Sequence, residues 1–218
     1  MPSFAHALVS AANAEHQRFG GRHETDPAVR PLLAEYWIEG AGLSRSRADQ
    51  MIDRREAWSA AFISFVVRRA LAASGSRARF VFSASHSVYA GHAILNDFNN
   101  VPAPAFHGLP PNGAGAEKPK PGDLLGYTRV AAVGGYEDAL RAARAPRGPE
   151  TYFSHFDVVT ASAGGQLTVV GGNVSDTLKA EKVKLDADGF PPRRPFKFSS
   201  VGRVVSGPYI CLIRHMDG

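Results

Sequence analysis

Apolar positions recur at helical spacing through the first half of the chain and at strand spacing through the second. Phe4, Leu8, Ala11 and Ala12 predict a helix over 4–19 that stops at Gly20-Gly21. Asp26-Pro27 opens a second helix, with Asp as cap and Pro in the first turn, carrying Leu32, Leu33, Tyr36 and Trp37 to about Gly40. The charged stretch Ser44 to Arg55 is helix-compatible, and the pattern leaves the boundary before Trp58 open. The most apolar helix follows: Phe62, Ile63, Val66 and Val67 share one face of Ala57–Arg69, which predicts a central, buried element. After Gly75-Ser76, Phe80-Val81-Phe82 leads to Ser83-Ala84-Ser85-His86-Ser87-Val88-Tyr89, followed by a short helical reading to about Phe98.

Residues 101–121, rich in Pro, Gly and Ala, read as an extended loop, and about 130–152 as an insertion with a short helix over 136–144. Strands are expected at 123–127, 155–160, 167–170, 182–185 and 204–213, with Ala163-Gly164-Gly165 closing an antiparallel hairpin. Helices first and strands later define an α+β class, and 218 residues with 44% hydrophobic content suit one domain over 1–218. The core is expected to include Phe62, Ile63, Val66, Leu124, Val158, Val169 and Ile210.

Composition narrows the function. The formal net charge of +5 suits an anionic partner. The basic residues, however, are scattered in pairs such as Arg54-Arg55 and Arg193-Arg194, without interleaved aromatics, so nucleic acid is not expected. One cysteine, Cys211, excludes an internal disulfide and a cysteine-rich zinc cluster, and its apolar surroundings predict a buried strand residue. No run reaches the roughly 20 apolar residues of a membrane span, and no general secretory signal opens the chain. The expectation is a soluble protein, cytoplasmic as made, with export by a specialised system left open. His86 and His92 fall on separate helix faces, unlike an i, i+4 metal pair. No metal or other cofactor is expected, although His86, His155 and Asp157 together form the one metal-site alternative.

The candidate chemistry starts at Ser59. At the beginning of a helix, its hydroxyl lies among free backbone N–H groups and the positive end of the helix dipole, where a developing negative charge is stabilised. A serine between alanines on a core helix also serves as a small packing residue. His155 opens a strand, and Gly171-Gly172-Asn173 returns at the same end of the hairpin, so imidazole and carboxamide are expected side by side on adjacent strands, facing the start of the central helix. That set has the logic of nucleophile, general base and orienting group. Asp157 shares the face of His155 and is a rival orienter, while Trp58 and His86 are secondary candidates.

Trp58-Ser59-Ala60-Ala61-Phe62, Pro121-Gly122-Asp123-Leu124-Leu125, His155-Phe156-Asp157-Val158-Val159 and Val169-Val170-Gly171-Gly172-Asn173 occur in the order of, and resemble, the motifs of papain-like cell-wall hydrolases of the NlpC and CHAP type. Over nearly its whole length the chain resembles bacterial domain-of-unknown-function family 2272. The resemblance implies a papain-like fold, a nucleophile helix on an antiparallel sheet, and a hydrolase of peptide or amide bonds in peptidoglycan. It also implies His155 as base and Asn173 as third member, with serine at position 59 where the CHAP pattern has cysteine. A thiol gives up its proton far more readily than a hydroxyl, so the alternative is a binding module of the same fold that holds a wall peptide or partner protein. Any immunity or export partner is not legible in the sequence.

Overall fold

The structure, a computed structural model, describes residues 1–146 and 148–217. Its mixed α+β architecture sets helices against one face of a six-stranded antiparallel sheet, with strand order β1 (Ala105–Leu109), β8 (Tyr209–Met216), β2 (Leu124–Thr128), β3 (Ser154–Ala163), β4 (Gln166–Val174) and β5 (Thr177–Lys184).

Helix α1 (Phe4–Phe19) has the expected bounds, because the signals at both ends are local. The Ser3 hydroxyl accepts from the His6 N–H, and Gly20, in the left-handed region at φ 62°, closes the last turn onto the His16 carbonyl. The single helix expected from Asp26 to Gly40 divides into a 3₁₀ turn (Pro27–Val29), α2 (Arg30–Glu35) and a π turn (Tyr36–Gly40). The wider last turn buries the neighbouring Tyr36 and Trp37 together and presses Gly40 onto the next helix but one, where a Cβ would lie 2.9 Å from the Phe65 nitrogen. Helix α3 (Arg45–Asp53) follows, capped by Ser44, then α4 (Ser59–Ser74) and α5 (His86–Phe98).

Strand β1 (Ala105–Leu109) lies inside the stretch read as loop. It pairs with β8 (Tyr209–Met216) at the sheet edge, where flanking prolines at 102, 104 and 110 leave the ladder intact. The remaining sheet strands are β2 (Leu124–Thr128), β3 (Ser154–Ala163), β4 (Gln166–Val174) and β5 (Thr177–Lys184). The β3–β4 hairpin turns as expected, with Ala163 opposite Gln166. The strand expected over 204–213 is split by Gly207-Pro208. Val204–Ser206 forms β7, which pairs with the short β6 (Lys197–Phe198), and β8 begins at Tyr209. Helix α6 (Tyr136–Ala143) occupies the expected insertion.

Every expected core residue is buried, Cys211 included: all but Val169 lie in a core that runs from α1 and α4 to the facing sides of β2, β3, β4 and β8, and Val169 packs in a second cluster with Leu125, Val159 and Leu212. The Pro-Gly-Asp motif has a structural role. Gly122, at φ 93°, abuts Ala5 of α1, and its N–H reaches the Val159 carbonyl. The Asp123 carboxylate accepts from the Lys120 N–H at 2.8 Å and from the Arg214 guanidinium at 2.9 and 2.7 Å. This buried pair locks the entry of β2 to β8.

Candidate active site

Two helix starts converge at the site: Ser59 is the first residue of α4 and His86 the first of α5. The connection between them is fixed by Ser64 on α4, whose hydroxyl donates to the Ser83 carbonyl at 2.9 Å and accepts from the Ser83 N–H at 3.1 Å. The hydroxyl of Ser83 accepts the Ser85 N–H in turn. His86 is thereby delivered to α4, and Ser59 Oγ lies 2.7 Å from His86 Nε2. The other ring nitrogen, Nδ1, contacts the Tyr89 hydroxyl one turn along α5.

Burial lowers the pKa of His86 well below the usual imidazole range, with the neighbouring His155 and Arg129 acting in the same sense. Its imidazole is therefore neutral at neutral pH and keeps a lone pair. The Tyr89 phenol is raised by burial, then by the Asp157 carboxylate, and stays protonated. The N-cap residue Trp58 makes no side-chain capping bond, and among the described residues no side chain accepts from the Ser59 N–H.

His155 is the second residue of β3, its ring centroid 5.3 Å from that of His86. Its Nε2 lies 3.0 Å from Asp157 Oδ1, and since a carboxylate only accepts, Nε2 carries the hydrogen. Nδ1 of His155 is buried and has no hydrogen-bond partner among the described residues. Gly171 leaves room for this pair: a Cβ there would collide with Asp157 Oδ1 and approach His155 Nε2 to 3.1 Å. At Gly172 a Cβ would come within 2.7 Å of the Trp58 ring, so β4 lies directly over the start of α4.

The expected trio is thus rearranged. Ser59 and His155 belong to one cluster, but the hydrogen bond of Ser59 goes to His86. Asp157, the rival orienter, holds His155, and among the described residues no hydrogen bond joins Asn173 to His155. Asn173 sits in the left-handed region at φ 57°, where β4 departs from regular pairing with β5 between Gly171 and Val174. The two-residue alternation that would set its side chain beside His155 is interrupted there. Trp58 is a structural element: buried, stacked near Phe19 and Tyr36, with its indole N–H donating to Glu24 Oε2 at 3.0 Å.

Tyr89 was not anticipated, although its i+3 spacing from His86 places both on one helix face. His92 is exposed on another face of α5. Among the described residues no three His, Cys, Asp or Glu side chains are grouped to hold a metal ion, and no helix is long and apolar enough to cross a membrane.

The side chains of the cluster are covered: Ser59 is 5%, His86 6% and His155 1% exposed. A groove of about 620 Å³ is lined in part by Ser85, Val130, Ala132, Val133, Tyr152 and Phe153, and not by Ser59, His86 or His155. Ser85 adjoins His86, and Phe153, itself 79% exposed, lies two residues before His155.

Fold and site together define a mixed α+β protein with a serine–histidine contact at paired helix starts. Residues 30–194 match the model of a bacterial family described as "Uncharacterized protein conserved in bacteria", domain of unknown function 2272, and the chain belongs to that family. The matched span contains Ser59, His86, Tyr89, His155, Asp157 and Asn173. No curated protein and no solved structure matches the chain.

Proposed function

We propose that this protein is a serine hydrolase of peptide or amide bonds, with bacterial peptidoglycan as substrate and a papain-like scaffold of the NlpC/CHAP type. The contact of 2.7 Å between Ser59 Oγ and His86 Nε2 at the start of α4 carries the reading. In the tautomer with Nδ1–H turned to Tyr89, the hydroxyl donates to the bare Nε2, the arrangement in which a general base activates a serine. Ser59 attacks the carbonyl carbon, His86 takes the hydroxyl proton and returns it to the leaving nitrogen, and the Ser59 N–H faces the developing oxyanion. A hydroxyl needs this help, because unlike a thiol it does not ionise near neutral pH.

The scaffold proposal rests on the motif order and on the packing of α4 against β3 and β4. The choice of wall polymer rests on the sequence resemblance and the positive net charge. Incubating the protein with purified peptidoglycan and measuring new amino groups tests it: release by wild type, lost in Ser59→Ala, is the expected result. A second reading is a binding module of the same fold, favoured by the near-complete burial of Ser59, His86 and His155. It predicts retention on peptidoglycan with no release by any variant.

A further inference from the structure

The proposed serine chemistry uses His86 and leaves a second, well-held histidine unassigned. We infer that the site divides its proton transfers between two bases: His86 serves the attack by Ser59, and His155, through Nδ1, activates the water that releases the acyl group. This rests on Ser59 being the nucleophile.

The geometry distinguishes the two rings. Both nitrogens of His86 are engaged, Nε2 by Ser59 and Nδ1 by Tyr89. His155 has one nitrogen engaged: Nε2–H donates to Asp157 Oδ1 at 3.0 Å, which leaves the lone pair on Nδ1. That lone pair is buried and, among the described residues, unpartnered. Leaving a buried polar atom without a partner is costly, so a group able to donate a hydrogen bond is favoured beside it. The ring lies 5.3 Å from that of His86, whose Nε2 meets Ser59 Oγ, so His155 is the second imidazole of the cluster that holds the serine. Water is the donor small enough to enter a covered site, and hydrolysis requires it there.

The charged and titratable groups around the pair are consistent with this division. Asp157 lies on Nε2 of His155, Tyr127 packs against the same ring at 5.2 Å, and Arg129 acts on His86.

The proton balance closes. In acylation the Ser59 proton passes to His86 and on to the leaving group, and the acyl–Ser59 ester forms. In deacylation water attacks the ester carbonyl and its proton goes to His155 Nδ1. The C–Oγ bond then breaks, His155 returns the proton to Ser59 Oγ, and the free acid leaves with both histidines neutral. Asp157 is a positioning residue that keeps Nδ1 bare.

The test uses the full chain with p-nitrophenyl acetate. In His155→Ala and His155→Gln the first turnover is expected as a burst of one p-nitrophenolate per chain, followed by steady release slower than wild type by roughly 10²-fold or more. Acetyl-Ser59 then accumulates and is found by peptide mass mapping, and the burst itself reports a folded site. In His86→Ala no burst is expected. Wild-type steady release from both His155 variants would overturn the inference, and so would loss of the burst together with the turnover. In either case acetyl-Ser59 in the wild type would leave the serine reading standing. Absence of acetyl-Ser59 from the wild type and every variant would overturn that reading as well.

Discussion

Ser59 Oγ and His86 Nε2, 27 residues apart in the chain, lie 2.7 Å apart because α4 and α5 start at the same point in space. If this pair forms the attacking unit, His86→Ala lowers peptidoglycan hydrolysis by about 10²–10⁴-fold, the usual span for loss of a general base. The Ser59→Ala/His86→Ala double variant is then no slower than either single one, since groups acting as a unit do not add. Rates of amino-group release from the three variants check this, and additive losses would mean that the residues act separately.

Gly171 is the point at which a minimal change reaches the His155–Asp157 pair. In Gly171→Ala the added methyl displaces the Asp157 carboxylate and crowds His155 Nε2. Deacylation is expected to slow at least tenfold while the burst with p-nitrophenyl acetate persists, because His86 is untouched. Pre-steady-state kinetics would show it, and unchanged steady turnover would detach Asp157 from the mechanism.

How much of this was legible in the sequence follows from how local each signal is. Helix α1 and the apolar face of α4 could be read directly, since caps and periodicity are written within a few residues. So could the β3–β4 hairpin and the shared face of His155 and Asp157. The Ser59–His86 contact could not be read, because it depends on how the Ser64–Ser83 bonds return the chain to α4. The hydrogen-bond partner of His155 could not be read from strand alternation alone, because β4 breaks its regular pairing between Gly171 and Val174 and Asn173 has a left-handed backbone. Strand β1 was hidden by prolines that lie outside its ladder positions.

The buried, neutral His86 makes stability depend on pH. The unfolded chain protonates this residue near its ordinary value of 6.5, whereas the native state resists protonation until well below it. Above that value neither state is protonated and stability is full. As pH falls through the window below it, the unfolded state binds the extra proton and stability drops by about 1 kcal/mol per pH unit. Denaturant titrations of wild type and His86→Gln between about pH 7 and 5 are expected to give a shallower decline for the variant. Parallel declines would show that His86 titrates in the native protein as it does in the unfolded chain.

The Asp123–Arg214 pair is held with both side chains nearly inaccessible, at 2% and 4% exposure. Asp123→Ala leaves the guanidinium with its main partner gone and is expected to lower unfolding free energy by about 3–5 kcal/mol. Replacing both members with apolar residues costs much less than the single change. Equilibrium denaturation distinguishes the two, and a single-variant loss below about 1 kcal/mol would contradict the role given to the Pro-Gly-Asp turn.

The central claim, that Ser59 is an activated nucleophile, is tested most directly by stoichiometric reaction with a serine-directed fluorophosphonate followed by peptide mass mapping. Mapping is needed because a second serine–histidine contact, Ser76 Oγ to His215 Nε2 at 2.7 Å, lies at the other end of α4. The account predicts one label per chain, on the peptide containing Ser59, absent in Ser59→Ala and slowed at least 10²-fold in His86→Ala. No label on folded wild type, or a label on Ser76 that persists in Ser59→Ala, would contradict it.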